Sequence, residues 1–95
     1  MLIRKQFSVY GRVQGVSFRF FTLRKAQKIG VSGIVRNLSD GSVQVIAEGS
    51  EQQIETLYQW LQQGPKTAKV DQVIMQDYMG NQTFESFEIT RFASP

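Results

Sequence analysis

The chain of 95 residues contains no cysteine and no histidine, which excludes disulfides, thiolate nucleophiles, imidazole bases and metal sites built on either residue. Its net charge of +3 is unevenly distributed, because eight basic and no acidic residues precede Asp40, whereas three basic and eight acidic residues occupy 40–95. With 41% apolar residues, the sequence predicts one folded domain whose basic N-terminal half would attract an anionic ligand.

The first half of the chain predicts a strand, a helix and a hairpin of two further strands. Apolar and polar residues alternate over 3–13, which is typical of a strand with one buried face. Apolar side chains then follow helical spacing over 18–29, and the next glycine is placed to end that helix. A second strand is predicted over 31–38, and Ser39-Asp40-Gly41 is a hairpin signal that leads into a third strand over 43–47.

The second half predicts one helix and two strands. Ser50 has the spacing of a capping box that starts the helix, and Gly64-Pro65 ends it. A strand over about 70–78, a turn near Gly80-Asn81 and a last strand over about 84–92 complete the chain. The order βαββαβ with a trailing strand predicts an α+β, ferredoxin-like fold: a mainly antiparallel sheet, two helices on one face, and a short extra C-terminal strand.

The most informative motif is GRVQGVSFR at 11–19, which joins the first strand to the first helix. Its two glycines allow a tight turn that exposes backbone N–H groups, and the helix start adds unpaired donors and partial positive charge. Arg19 supplies a planar guanidinium that can bind two phosphate oxygens. The motif therefore predicts an anion site, with phosphate as the favoured ligand. The alternative for Arg19 is a solvated side chain in the first helical turn.

Asn37 is the second candidate functional residue. Strand parity places it with Val31, Gly33 and Val35, on the face that is expected to meet the first helix. A polar amide at the end of an apolar stripe indicates a site, although asparagine is also common as a turn residue before a hairpin.

With GRVQGVSFR at 11–19, VRNLSDGSV at 35–43 and Glu48-Gly49, the sequence resembles the acylphosphatase family over nearly its whole length. The resemblance implies a single acylphosphatase-like domain over 1–95 that hydrolyses acyl phosphates to a carboxylate and inorganic phosphate, without a cofactor or metal. It implies that Arg19 and Asn37 are catalytic, with Arg19 binding phosphate and Asn37 positioning the attacking water. The residues implied to bind phosphate are Gln14, Gly15, Val16, Ser17, Phe18 and Arg19. One departure is Ile34, where relatives more often carry tryptophan; this position is expected to pack and not to react.

The expected partners are a small-molecule acyl phosphate, and inorganic phosphate as product and inhibitor. The apolar run at the N-terminus is too short for a signal peptide and no segment is suited to span a bilayer, so we expect a cytoplasmic monomer without membrane contact. One alternative is a nucleic-acid-binding module on the same scaffold, but the open sheet face would offer Gln44, Ile46, Glu48 and Tyr10, a poor stacking platform. The other alternative is a regulatory domain that binds phosphate without turnover.

Overall fold

The structure is a computed structural model that describes residues 1–90. Its elements in chain order are β1 (Leu2–Arg12), α1 (Phe18–Ile29), β2 (Ser32–Asn37), β3 (Val43–Ser50), α2 (Glu51–Gln63), β4 (Lys69–Asp77) and β5 (Phe87–Ile89). The strands form one sheet in the order β4-β1-β3-β2-β5. All neighbouring pairs are antiparallel except β2 and β5, which are parallel. The predicted ferredoxin-like α+β fold is confirmed.

One hydrophobic core lies between the sheet and both helices. Alternate residues of β1 and β3 point into it, as the apolar alternation of the sequence requires. The helices contribute apolar residues at helical spacing. The main core residues are Phe7, Val9, Val35, Val43, Val45, Ala47, Phe18, Ala26, Ile54, Leu57 and Leu61.

The helix ends are formed by local interactions that the sequence indicates. Ser50 Oγ accepts from Gln53 N at 3.1 Å, and Gln53 Oε1 accepts from Ser50 N at 2.8 Å, so the predicted capping box is present. Gln53 Nε2 also donates to Ile29 O at 3.1 Å, which joins the start of α2 to the end of α1. Gly30 adopts φ 98° and its N–H donates to Ala26 O at 2.8 Å, a glycine helix end.

The end of β1 bends where it leads into the loop before α1. The pairing of β1 with β4 shifts register between Tyr10 and Gly11. Gly11 has φ 131°, and a Cβ at this position would lie 2.1 Å from Lys69 O. Only glycine fits this close backbone approach. The first glycine of the motif therefore directs the chain away from the sheet and toward α1.

The predicted turn near Gly80-Asn81 is wrong. Because β4 and β5 occupy opposite edges of the sheet, residues 78–86 cross the sheet instead of turning back. Tyr78 N donates to Arg4 O at 3.3 Å along this path. The last strand is also shorter than the predicted 84–92: β5 covers three residues, and positions 91–92 of the prediction lie outside the described residues.

The sheet face away from the helices carries a small apolar pair. Ile34 of β2 and Ile46 of β3 are direct cross-strand partners, 5% and 2% exposed, and neither belongs to the main core. Ile34 shares a surface groove with the crossing segment at 82–86. Ile46 lies on the outward face, as expected, but it is buried. Within residues 1–90, no helix has the length and apolar character that crossing a membrane requires.

Candidate active site

The topology brings the carboxyl ends of three strands to one end of the sheet. Strands β1 and β2 both pair antiparallel with β3, so they run in the same direction. Strand β5 is parallel to β2 and therefore also ends there. The loop after β1, the end of β2 and the end of β5 consequently face the start of α1.

The β1–α1 loop (residues 13–17) has a backbone that is suited to binding an anion. Gly15 has φ 73° and Ser17 has φ 60°, and Ser17 is the only residue other than glycine with positive φ among residues 1–90. Val16, between them, has negative φ, so the sign of φ alternates over these three residues. In such a backbone consecutive N–H groups point into one concave surface, where they can bind an anion. A left-handed serine costs about 1–2 kcal/mol and is typical of functional sites.

The first turn of α1 adds positive charge without internal compensation. Its first helical hydrogen bond runs from Phe21 N to Ser17 O at 3.1 Å, so the preceding N–H groups of the helix have no partner one turn earlier. The Ser17 side chain makes no capping hydrogen bond, and the first turn contains no acidic residue. Arg19 lies in this same turn. A cation beside a positive helix end is unfavourable unless an anion binds there.

A cleft of about 320 Å³ opens at this end of the sheet. It is lined by Val13, Gly15, Ser17, Phe18, Arg19, Phe20, Asn37 and Ile89. The structure therefore brings together Arg19 and Asn37, the two predicted catalytic residues. Besides Arg19, three of the predicted phosphate-binding residues line the same cleft, namely Gly15, Ser17 and Phe18. Gln14 and Val16 do not line it.

Asn37, which lines the cleft, carries an unsatisfied polar atom. Its Oδ1 is buried and has no hydrogen-bond partner among the described residues. The backbone of Asn37 pairs with Val43 in the sheet, which fixes the position of the residue. A buried acceptor without a partner costs about 1–3 kcal/mol, so this amide is well placed to bind a ligand or a water.

Gln14 contributes through its side chain. Its Nε2 donates to Leu38 O at 2.9 Å and to Ser42 O at 2.8 Å. These two bonds fix the β1–α1 loop to the hairpin that follows Asn37. Sequence reasoning assigned Gln14 to phosphate binding and missed this contact, because no local spacing relates residue 14 to the hairpin.

The hairpin beside Asn37 has its own polar network. Asp40 Oδ1 accepts from the Ser42 N–H at 2.9 Å and from the Ser42 hydroxyl, and these bonds lower the pKa of the Asp40 carboxyl. Leu38 N donates to Ser42 O at 2.9 Å, and Gly41 N donates to Leu38 O at 3.2 Å. The two carbonyl oxygens that accept hydrogen bonds from Gln14, those of Leu38 and Ser42, are therefore held in position by bonds within the hairpin.

Val16 anchors the opposite side of the loop. Its side chain packs against the hydrophobic core, and its carbonyl accepts from Thr67 Oγ1 at 2.9 Å. Thr67 belongs to the connection between α2 and β4. The loop is thus held by Gln14 on the hairpin side and by Val16 on the α2 side.

Comparison with known proteins decides the family. The acylphosphatase family model matches residues 5–89. Curated acylphosphatases from Pasteurella multocida and Actinobacillus succinogenes are 53% and 51% identical, covering 93% and 95% of this chain and 98% and 100% of theirs. The chain belongs to the acylphosphatase family. The crystal structure of acylphosphatase from Bacillus subtilis has a TM-score of 0.86 and 32% identity, covering 95% of this chain and 99% of that chain.

Membership of the acylphosphatase family establishes the class of enzyme to which the protein belongs. As an acylphosphatase it hydrolyses acyl phosphates, which are small-molecule substrates. The predicted family and enzyme class are confirmed. Among residues 1–90, no three metal-ligating side chains of the His, Cys, Asp or Glu type come together.

Proposed function

We propose that acyl phosphate hydrolysis takes place in the cleft between α1 and the end of β2. The observation that carries this proposal is that Arg19 and Asn37 line the same cleft, and that the buried Oδ1 of Asn37 has no hydrogen-bond partner among the described residues. One side of the cleft offers positive charge for a phosphoryl group, and the other offers an amide for the attacking water.

The phosphoryl oxygens are bound by the backbone N–H groups over 14–18 and by the guanidinium of Arg19. Alternating backbone handedness at Gly15, Val16 and Ser17 supports this role, as does the first turn of α1. The guanidinium can donate two parallel hydrogen bonds to phosphoryl oxygens. The loop donors are held by the Gln14 and Val16 contacts before the substrate binds, so they stabilise the transition state without reorganising.

Asn37 positions the nucleophilic water. Its Oδ1 can accept a hydrogen bond from the water, and its amide nitrogen can donate one. The water oxygen bonds to phosphorus as the bond between phosphorus and the acyl oxygen breaks. The electron pair of that bond leaves with the carboxylate. Since the lining of the cleft, within the part of the chain that the structure describes, contains neither histidine nor a carboxylate, the proton of the water passes to a phosphoryl oxygen of the substrate.

The chemistry requires neither a general acid nor a metal. A carboxylate is a stable leaving group at neutral pH, so it departs without being protonated. Phosphoryl transfer through a loose transition state depends mainly on positioning and on neutralising the charge of the phosphoryl oxygens. Arg19 and the loop amides supply that charge. A phosphate monoester releases an alkoxide, which does need an acid, and is therefore a poor substrate.

A larger groove of about 690 Å³ at the other end of the sheet is less suited to the substrate. Its lining carries three carboxylates, on Glu51, Glu55 and Asp77, against two cationic residues, Arg4 and Lys5, and Lys5 is already paired with Asp77. The cleft at Arg19 has no carboxylate in its lining among residues 1–90, so it is better suited to an anionic acyl phosphate. All residues of the proposed site belong to one copy of the chain, so the proposed single domain over 1–95 can act as a monomer. A cytoplasmic location stays a prediction from the sequence.

The proposal is tested with purified protein, benzoyl phosphate and an alkyl phosphate monoester, glycerol 3-phosphate, in the presence of a chelator. We expect hydrolysis of the acyl phosphate, little action on the monoester, and no effect of added magnesium. Activity that is lost in chelator and restored by magnesium contradicts the metal-free mechanism. Phosphate binding without turnover of either compound supports the regulatory-domain alternative.

A further inference from the structure

Two exposed apolar side chains lie at the cleft. Phe20 is 50% exposed and Ile89 is 39% exposed, and both line the cleft that contains Arg19 and Asn37. In the described part of the chain, the other large apolar residues with comparable exposure are Met1, Leu2, Met75 and Met79. A single exposed apolar side chain is ordinary, but two that line one cleft beside a charged site indicate contact with an apolar ligand group.

Phe20 and Ile89 each lie next to one of the two residues proposed to act in the reaction. Phe20 directly follows Arg19 in the first turn of α1. Ile89 ends β5, where it pairs with Val35 of β2, the strand that carries Asn37. In an acyl phosphate the organic group is attached through the carbonyl carbon, next to the oxygen that leaves phosphorus. A phosphoryl group held by Arg19 therefore places the acyl group close to Phe20 and Ile89.

The ring of Phe20 is held in place by its own helix. The Phe21 ring contacts it edge-on, with ring centroids 5.6 Å apart and an interplanar angle of 68°. The guanidinium carbon of Arg24 lies 5.9 Å from the centre of the Phe20 ring. Aromatic and cation–π contacts of this kind fix the orientation of an exposed ring. An ordered ring loses less freedom when it contacts a ligand.

We propose that Phe20 and Ile89 form an acyl-group subsite that favours acyl phosphates with aromatic or branched aliphatic acyl groups over acetyl phosphate. This inference rests on the proposed function, because it requires the phosphoryl group to be bound at Arg19. An apolar acyl group that contacts both side chains leaves water on binding, whereas an acetyl group is too small to reach both. Phe20 and Ile89 are specificity-determining residues, and they take no part in bond making.

The test compares kcat/KM for benzoyl phosphate and acetyl phosphate in the wild type and in Phe20→Ala, Phe20→Leu and Ile89→Ala. We expect Phe20→Ala to lower kcat/KM for benzoyl phosphate by ~10-fold, the lower end for an apolar contact, and that for acetyl phosphate by less than about twofold. Phe20→Leu and Ile89→Ala should give smaller losses in the same direction. Inhibition by inorganic phosphate should not change, because phosphate has no acyl group.

Met79→Ala is the matched control, since Met79 is an 86% exposed apolar residue that lines the other groove. We expect it to leave the ratio of the two kcat/KM values unchanged. Equal losses for both substrates in Phe20→Ala and Ile89→Ala, or no loss for either, overturn the subsite and leave the proposed function intact. If the wild type hydrolyses neither substrate, the proposed function fails first. Should Phe20→Ala fail to fold, Phe20→Leu and Ile89→Ala carry the test.

Discussion

Arg19 and Asn37 could be identified from the sequence because each is a residue type that is unfavourable at its position unless a ligand binds there. Arginine in a first helical turn without an acidic partner is electrostatically unfavourable, and Asn37 ends an apolar stripe. In the structure both line one cleft, and the Oδ1 of Asn37 is buried without a partner among the described residues. Phe20 and Ile89 could not be assigned in this way, since an apolar residue in a helix or strand predicts core packing by default.

We predict that Arg19→Ala weakens both phosphate binding and turnover, because the guanidinium contacts phosphoryl oxygens in the bound and transition states. Arg19→Lys should restore only part of the activity, since an ammonium group cannot form two parallel hydrogen bonds in a fixed plane. The measurements are kcat, KM and the inhibition constant for inorganic phosphate. Lys28→Ala, at the far end of the same helix, controls for the loss of one positive charge.

Asn37→Ala is predicted to lower kcat by ~10²-fold or more, comparable to the loss of one positioned polar group, with phosphate affinity largely retained. The reason is that Asn37 contacts the water and not the phosphoryl oxygens. The same kinetic constants, measured beside those of Arg19→Ala, separate the two roles. An equal collapse of phosphate affinity in both variants would refute this division. Asn81→Ala, at an exposed position in the crossing segment, is the control.

At the level of elements, the sequence predicted the features that depend on interactions between residues close together in the chain. The Ser50–Gln53 capping box, the glycine after α1 and the hairpin at 39–41 all depend on neighbouring residues, and all are present. The turn at Gly80-Asn81 was wrong because its residues suit a turn, yet β5 pairs with β2 on the far edge of the sheet. Pairing between distant strands is not encoded in a local pattern.

The two bonds from Gln14 join two elements that only the tertiary fold brings together. We predict that Gln14→Met lowers the free energy of unfolding by about 1–2 kcal/mol, since each hydrogen bond contributes about 0.5–1.5 kcal/mol. It should also lower kcat by ~10-fold, because a small displacement of the loop from Asn37 disturbs the reacting geometry. Denaturant unfolding and steady-state kinetics measure the two effects.

The control for Gln14 is Gln62→Met, which removes an exposed glutamine whose side chain donates a long hydrogen bond of 3.5 Å to Tyr58 O. A change of less than about 0.5 kcal/mol in the free energy of unfolding, and no change in kcat, is expected for it. If Gln14→Met retains both the stability and the kcat of the wild type, the contact between loop and hairpin has no role in positioning.

At the scale of the whole molecule, strand direction explains where the site lies. Because β1, β2 and β5 run in the same direction, their carboxyl ends bring Val13, Asn37 and Ile89 to one cleft. The α1 helix begins there, so its positive end meets the ends of these strands. The eight basic residues before Asp40 add a field that favours an anionic substrate. The fold and the basic N-terminal half follow from the sequence. The full lining of the cleft does not, because it includes Ile89 of β5, and the parallel pairing of β5 with β2 was not predicted.

The central claim is that the cleft binds the phosphoryl group through the loop amides and Arg19, and thermal unfolding in inorganic phosphate tests it most directly. Phosphate at a hundredfold excess over its Kd should stabilise the fold by about 2.7 kcal/mol. This corresponds to a rise of roughly 10–20 °C in Tm for a domain of this size. Chloride at matched ionic strength should do much less, and the phosphate effect should largely vanish in Arg19→Ala and persist in Asn37→Ala. Equal shifts in phosphate and chloride would contradict the claim.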